Sequence, residues 1–195
     1  MKKRIIIFFT ILGIVIVAYN LGKRYNINFQ YEVGQPIDSL NHVVVYYNGG
    51  VSNNSGRNTS EDNYNIGIKY QCVEFVKRYY FEHLKHKMPN AFGNAKDFFD
   101  EKIEDGELNE ARDLFQYRNG SKYKPEPNDL IVFSGSVFNK YGHVAIISEV
   151  NGNEIEIVQQ NPGPYGKSRE TIKLNKDNNK WTVENDKTLG WLRKQ

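Results

Sequence analysis

The first strong pattern along the chain is an almost unbroken apolar run from Ile5 to Ala18, which continues through Tyr19 and Asn20 to Leu21. Three cations precede this run and two follow it. Its length of about 17 residues is at the short end of what crosses a bilayer as a helix. An apolar segment with basic flanks directs a chain to the membrane. The pattern therefore predicts an N-terminal membrane segment over residues 1–21.

The flanks of this segment bear on whether it is retained. A signal-peptide cleavage site requires small residues, and Ile16-Val-Ala18 matches that requirement poorly. We therefore expect a retained single-pass anchor, with secretion or periplasmic release after cleavage as the alternative. The larger number of cations before the run places the N-terminus in the cytoplasm and the rest of the chain outside it.

After the membrane segment, residues 22–38 are predicted to form a linker and residues 39–195 a folded domain. Residues 41–47 are rich in β-branched and aromatic side chains and predict a strand, whereas residues 48–65 predict a long loop. Residues 70–87 predict a helix with charged side chains mostly opposite its apolar face. That face carries residues at helical spacing: Cys72, Phe75, Val76, Tyr79, Tyr80 and His83.

The second half of the domain has mainly strand-like patterns. One or two further helices are expected within residues 92–115, and strands within 129–133, 143–150, 154–161, 168–174 and 188–192. Helices followed by a run of antiparallel strands indicate an α+β fold.

A predicted hairpin brings polar residues together at one end of the sheet. A three-residue turn at Asn151–Asn153 places His143 opposite Asn161 and Ala145 opposite Gln159. His143, Gln159 and Asn161 then lie at the end of an otherwise apolar face. A two-residue turn would shift the register by one residue and place His143 on the other face.

Composition and charge narrow the class of protein. The chain has 195 residues, of which 39% are hydrophobic and 25% charged, as expected for one packed domain with a short appendage. The net charge is +3, but five of the 26 basic residues lie within the first 24 positions. The remaining 21 basic and 23 acidic residues give no basic surface, so nucleic acid is not an expected partner.

The one cysteine, Cys72, excludes an internal disulfide and a zinc site built from cysteines. At a helix start its thiolate would be stabilised by the helix dipole and by unpaired N–H groups. The alternative is a small buried side chain without reactivity. His83 and His86 have a spacing that could bind a metal, but no third ligand accompanies them. We therefore expect them on a solvated helix surface and expect neither metal nor cofactor.

Four segments together resemble the CHAP family (cysteine, histidine-dependent amidohydrolase/peptidase), and within it the amidase domain of glutathionylspermidine synthetase/amidase. They are Tyr70-Gln-Cys-Val-Glu-Phe-Val-Lys-Arg78, Pro127-Asn-Asp-Leu-Ile-Val-Phe133, Gly142-His-Val-Ala-Ile-Ile147 and Val158-Gln-Gln-Asn161. The resemblance implies a papain-like α+β fold and amide cleavage through a thioester. It places the nucleophile on Cys72 and the base on His143.

The third catalytic position departs from the family pattern. The amidase has a Glu-Gln-Asn segment, whereas this chain has Gln159-Gln160-Asn161, so the carboxylate is absent. Gln159 can still orient the His143 ring, as the Asn of papain-like triads does, and Asn161 is the alternative orienter.

These features predict a membrane-tethered thiol amidohydrolase. Its substrate would be a small peptide or peptide conjugate, either glutathionylspermidine-like or a peptidoglycan peptide. The alternative is a catalytically degenerate domain that binds a peptide or polyamine without cleaving it.

Overall fold

The structure is a computed structural model that describes residues 2–137 and 139–195. Its first element is the helix α1 (Lys2–Arg24), which has 23 residues and no buried side chain. The mean hydropathy of its most apolar stretch is 2.5. This length and hydropathy are sufficient to cross a membrane, and an N-terminal signal sequence has the same properties.

The helical content after α1 is small in the part of the chain that the structure describes. It consists of the helix α2 (Cys72–Glu82) and a 3-10 helix at Ala95–Phe98. The strands, in chain order, are β1 (Pro36–Leu40), β2 (Val43–Tyr46), β3 (Arg57–Thr59), β4 (Asn65–Ile68), β5 (Leu108–Asn109), β6 (Leu114–Arg118), β7 (Leu130–Phe133), β8 (His143–Asn151), β9 (Glu154–Val158), β10 (Arg169–Asp177), β11 (Lys180–Val183) and β12 (Thr188–Arg193).

One large antiparallel sheet organises the domain. Its strand order is β11-β10-β9-β8-β7-β12-β6-β5, and two separate ribbons are formed by β1 with β2 and by β3 with β4. The helix α2 packs against β4 and β8. This arrangement confirms the α+β fold class.

Both faces of the central strands are buried. On one face, Val144, Ile146 and Val158 join the core that includes Phe75 of α2. The alternate residues Ala145, Ile147, Ile155 and Ile157 enter a second core around Trp191. Because the sheet is covered on both sides, its strand ends become the places where polar side chains can reach each other and solvent.

Two predicted segments differ from the structure. Residues 92–115 contain the 3-10 helix and strands β5 and β6 instead of one or two α-helices. Gly106 and Asp113 have left-handed φ values of 91° and 54°, which interrupt a right-handed helix. The predicted loop over residues 48–65 also contains β3, which pairs with β4.

The helix α2 is shorter than predicted because the chain turns after Glu82. The N–H groups of Leu84 and His86 bond back to the carbonyls of Tyr79 and Tyr80, and Lys85 between them has a left-handed φ of 52°. The predicted solvated position of His86 is wrong. Its ring is buried, and Nε2 lies 2.9 Å from the Arg112 carbonyl oxygen.

The charged face of α2 is also covered. Glu74 and Arg78 are buried and form an ion pair with a distance of 2.7 Å. Glu74 accepts further hydrogen bonds from the side chains of Asn58 and Gln160, and Arg78 donates to the Val44 carbonyl. Polar residues opposite an apolar helix face thus became buried because the β ribbons pack on that side.

The β8–β9 hairpin reaches the predicted register by another route. Asn151 pairs with Glu154, so the turn has two residues, and the prediction of a three-residue turn is wrong. A β-bulge between Ile147 and Glu149 then adds one residue to β8. Beyond the bulge Ile146 pairs with Val158, and continuation of that register puts Ala145 opposite Gln159. The bulge therefore cancels the shift that the shorter turn would cause.

Candidate active site

Cys72 is the first residue of α2 and is 9% exposed. The residue before it, Gln71, has extended backbone angles (φ −82°, ψ 158°) and makes no side-chain capping bond to the helix. The N–H groups of the first helical turn have no partner within a helix, and they carry partial positive charge. This position favours the thiolate form of the Cys72 side chain.

His143 is the first residue of β8 and follows Gly142, whose φ is 76°. A Cβ atom at position 142 would lie 2.5 Å from the Phe133 carbonyl oxygen, so a glycine is required at this turn into the strand. The His143 ring lies beside the Cys72 thiol and interacts with it, and its Nε2 atom lies 2.8 Å from Oε1 of Gln159. With Nε2 occupied by Gln159, Nδ1 is the ring nitrogen available to the thiol.

The two titratable groups shift each other toward their charged forms. Burial raises the pKa of the Cys72 thiol, but the charge and hydrogen bond of His143, together with the N–H groups of Val144 and Val73, bring it below its ordinary value. Burial lowers the pKa of His143, but Cys72, the bond to Gln159 and the charge of Glu170 bring it above its ordinary value. Both shifts favour a thiolate–imidazolium pair.

The amide of Gln159 is held in one orientation. Its Nε2 atom donates to the Lys167 carbonyl at 3.2 Å and to Oε2 of Glu170 at 3.3 Å. Both partners are acceptors, so the amide oxygen is the atom that faces His143. Gln159 therefore links the imidazole ring to a carboxylate on β10.

Asn161 lies near the nucleophile but does not bond to His143 in the contacts that the structure describes. Its backbone has a left-handed φ of 60°, and its Nδ2 atom donates to Oε1 of Gln71 at 2.7 Å and to the Val51 carbonyl at 2.9 Å. Gln71 in turn donates to the Asn53 carbonyl at 2.7 Å. Asn161 thus fixes the residue that precedes Cys72.

Reasoning from the sequence missed two groups of this site. Gln71 adjoins Cys72, and that adjacency was a usable signal for it. Glu170 carries no local signal, because only the pairing of β9 with β10 brings it next to Gln159.

Beside the His143 ring the surface encloses a cavity of about 160 Å³, with Gln159, Glu170 and Lys187 among its lining residues. Glu170 is therefore in contact with solvent at this cavity. Among residues 2–137 and 139–195, no group of three or more His, Cys, Asp or Glu side chains could hold a metal ion. The functional groups of the described residues at this site are a thiol, an imidazole, several amides and one carboxylate.

Comparison with known families gives a match to the CHAP domain over residues 62–161, which include Cys72, His143 and Gln159. The chain belongs to the CHAP domain family. The matched range begins in the β3–β4 connection and ends at Asn161, so it contains α2 and the β8–β9 hairpin. The predicted family membership is confirmed.

Curated relatives of this CHAP protein include two larger enzymes. Trypanothione synthetase of Crithidia fasciculata is 34% identical over 120 residues, which cover 62% of this chain and 18% of the relative. The bifunctional glutathionylspermidine synthetase/amidase of Escherichia coli is 32% identical over 152 residues, which cover 70% of this chain and 23% of the relative. The chain thus matches about a fifth of each relative's length, and the amidase relative together with the CHAP domain supports an amidohydrolase-type function.

Proposed function

We propose that this protein is a membrane-tethered thiol amidohydrolase that cleaves an amide bond of a small peptide or peptide conjugate. One observation carries the proposal: the Cys72 thiol at the start of α2 interacts with the neighbouring His143 ring, whose Nε2 atom is held by Gln159. A nucleophile, a base within hydrogen-bond reach and a group that orients the base are the parts that covalent amide hydrolysis requires.

In the proposed mechanism, the Cys72 thiolate attacks the carbonyl carbon of the amide while His143 holds the proton taken from the thiol. The oxyanion that forms faces the N–H groups at the start of α2. The C–N bond then breaks as His143 passes its proton to the leaving amine, and a thioester remains on Cys72. Water attacks the thioester, His143 accepts the proton from that water, and the acid product leaves as the thiol is restored.

Gln159 is assigned the role of orienting residue. Its amide oxygen accepts the hydrogen bond from Nε2–H of His143, which leaves Nδ1 directed at the thiol. A neutral amide fixes the tautomer but adds no charge attraction to the imidazolium. Glu170, bonded to the other end of the same amide, provides a negative charge near the ring. Asn161 is assigned to holding Gln71 and the loop beside the nucleophile.

The test of the nucleophile is Cys72→Ala. We expect complete loss of hydrolysis, with the same thermal unfolding and circular dichroism as the unchanged protein, because the replacement removes little volume. Undiminished hydrolysis by the folded variant would contradict the assignment. Lys180→Ala at the exposed start of β11 is a suitable control.

The substrate is proposed to be glutathionylspermidine-like or a peptidoglycan peptide. The first class is suggested by the name of the Escherichia coli relative, and the second by the proposed orientation of the domain, which faces away from the cytoplasm. The purified full chain should be incubated separately with glutathionylspermidine and with muropeptides, and the products identified by mass. Release of an amine from one class and not from the other assigns the substrate.

For the membrane, we propose residues 1–21 as a retained anchor, residues 22–38 as a linker and residues 39–195 as the amidase domain, which faces away from the cytoplasm. The hydropathy of α1 and the poor cleavage site after Ala18 support this arrangement. Intact-mass measurement of the mature protein tests retention. To test the orientation, a reporter that functions only in the cytoplasm is fused after Gln195. Activity of this reporter would contradict the proposed orientation.

The second candidate function is a binding domain that holds a peptide or polyamine without cleaving it. The amide at position 159, where the amidase pattern has a carboxylate, is the observation that favours it. Alkylation of Cys72 by iodoacetamide separates the two, because a binding pocket does not need a thiol with a low pKa. Slow alkylation together with tight binding of an uncleaved ligand would favour the binding domain.

A further inference from the structure

The segment that follows α1 exposes a row of apolar and aromatic side chains. Every second residue is apolar or aromatic and lies on the outside, with Phe29 94% exposed. The residues of this row and their exposed fractions are Tyr25 (64%), Ile27 (41%), Phe29 (94%), Tyr31 (40%) and Val33 (41%). Large apolar side chains in a soluble domain are usually turned inward, so a row of them on the outside requires a reason.

Of the four polar residues between them, Asn26 and Asn28 face the protein, whereas Gln30 and Glu32 are exposed. Asn28 is 6% exposed, and its Nδ2 atom donates to the Pro164 carbonyl at 2.8 Å. Oδ1 of Asn26 accepts a hydrogen bond from the Tyr47 hydroxyl at 2.9 Å. The segment is therefore fixed to the domain by its two asparagines and by Tyr31, whose ring centroid lies 5.3 Å from that of Tyr47. Tyr25 and Phe29 are directed away from the domain.

Tyr165 extends this apolar row from a second loop. Its side chain is 71% exposed, and its hydroxyl donates to the Ile27 carbonyl at 2.9 Å. We call these six residues, Tyr25, Ile27, Phe29, Tyr31, Val33 and Tyr165, the lead-in surface. The surface begins one residue after α1 ends at Arg24, and the Lys23 carbonyl accepts a hydrogen bond from the N–H of Ser52.

We propose that the lead-in surface lies in the headgroup layer of the bilayer and thereby holds the domain against the membrane. The inference rests on the proposed membrane anchor. The occupant is identified by continuity, because the row follows directly on the one helix of the described chain that is long and apolar enough to span a membrane. Tyrosine is enriched at the membrane–water interface, and segments that lie in this interface bury their apolar side chains at the headgroup boundary. Lys23 and Arg24 at the end of α1 mark the same boundary.

The position of this surface matters for the candidate active site. The loops that hold the lead-in segment, residues 48–53 and 161–166, also hold Gln71 through Val51, Asn53 and Asn161. Gln71 directly precedes Cys72. Contact of the lead-in surface with lipid would therefore leave only these loops between the nucleophile and the headgroups. This position would favour substrates located at the membrane surface.

The test measures lipid contact directly on the full chain. In a Cys72→Ala background, which has no other cysteine, Phe29→Cys is labelled with an environment-sensitive fluorophore and reconstituted into phospholipid vesicles. We expect the emission to be blue-shifted in plain vesicles. We expect it to be quenched when the phospholipid carries a nitroxide near the headgroup, since interfacial segments enter the bilayer by only about 5–10 Å. Ile11→Cys in α1 is the positive control, and Lys180→Cys at the start of β11 is the exposed control.

The controls separate failure of this inference from failure of the proposed anchor. If the Ile11 label is quenched by deeply placed nitroxides and the Phe29 label is not quenched, the anchor stands and the lead-in surface is not in the bilayer. If neither is quenched, the anchor and the inference both fail. A blue shift at Phe29 without quenching, together with a dimeric mass, assigns the surface to a second copy of the chain and overturns the lipid contact.

Discussion

Nε2 of His143 lies 2.8 Å from Oε1 of Gln159, and the amide nitrogen of the same Gln159 lies 3.3 Å from Oε2 of Glu170. The glutamine thus stands between an imidazole and a carboxylate. In the CHAP amidase pattern a carboxylate occupies position 159 itself. Here the negative charge is one hydrogen bond further from the ring, and this difference leads to separate predictions for each residue.

Gln159→Ala removes the acceptor that orients the imidazole. We expect kcat/KM for amide hydrolysis to fall by about tenfold or more, because loss of the correct tautomer is costly in related triads. Steady-state kinetics of Gln159→Ala and Asn161→Ala should be compared. An effect of the Asn161 change alone would identify Asn161 as the orienter, and no effect of either would mean that another group holds His143.

Gln159→Glu adds a carboxylate beside His143 but also places it against Glu170. Two neighbouring carboxylates raise each other's pKa, so one of them would retain a proton to higher pH. We therefore expect the single variant to gain little turnover at neutral pH. The double variant Gln159→Glu, Glu170→Gln has no such repulsion, and we expect it to exceed both single variants. Equal activity of the single and double variants would contradict the coupling.

Glu170→Gln retains a hydrogen-bond acceptor for the Gln159 amide and removes the negative charge. The charge of Glu170 contributes to raising the pKa of His143, so this variant should lower that pKa and weaken the thiolate–imidazolium pair. We expect slower alkylation of Cys72 near pH 7, by less than about tenfold since Glu170 is exposed to solvent. Glu149→Gln, elsewhere on β8, is the control for an exposed charge.

The rate of Cys72 alkylation should depend on pH in a defined way. A thiol whose pKa is lowered is ionised at a lower pH, so the alkylation midpoint should lie below that of an unperturbed cysteine. His143→Ala removes the main group that lowers this pKa, so that burial, which raises it, is opposed only by the N–H groups of Val144 and Val73. We expect the midpoint of that variant to move to higher pH. An unchanged profile would show that His143 does not pair with the thiol.

Glu74→Ala should destabilise the fold. Glu74 and Arg78 are buried and paired at 2.7 Å, and removal of the carboxylate leaves the guanidinium without its counter-charge. Breaking a buried pair on one side costs about 3–5 kcal/mol, which denaturant unfolding can measure. Glu82→Ala at the exposed end of α2 is the control and should change the free energy of unfolding by less than about 0.5 kcal/mol.

Sequence patterns predicted the α+β class, the apolar N-terminal helix, the start of α2 near Cys72 and the strand that carries His143. These features depend on short-range periodicity and on flanking charges, and both signals are contained within a single short segment of the chain. The strand predicted over residues 154–161 ends at Val158, one residue before Gln159. The same rules failed for residues 92–115. There, left-handed residues and pairing with distant strands replaced the expected helices.

For the β8–β9 hairpin, the predicted register is correct although the predicted three-residue turn is wrong. The sequence could not reveal the bulge between Ile147 and Glu149, because a bulge is chosen by packing on both faces of the sheet. Without it, the two-residue turn would shift His143 relative to Gln159. With it, both cores are filled and the two side chains meet.

The residue types of the candidate site were set by the sequence, but their partners were set by the fold. Cys72, His143 and Gln159 could be named from motifs, whereas Glu170 reaches Gln159 only through the pairing of β10 with β9. Asn161 was separated from His143 by its left-handed backbone, which directs its amide to Gln71. Contacts between residues far apart in the chain depend on strand pairing and packing over the whole sheet, and no local pattern contains that information.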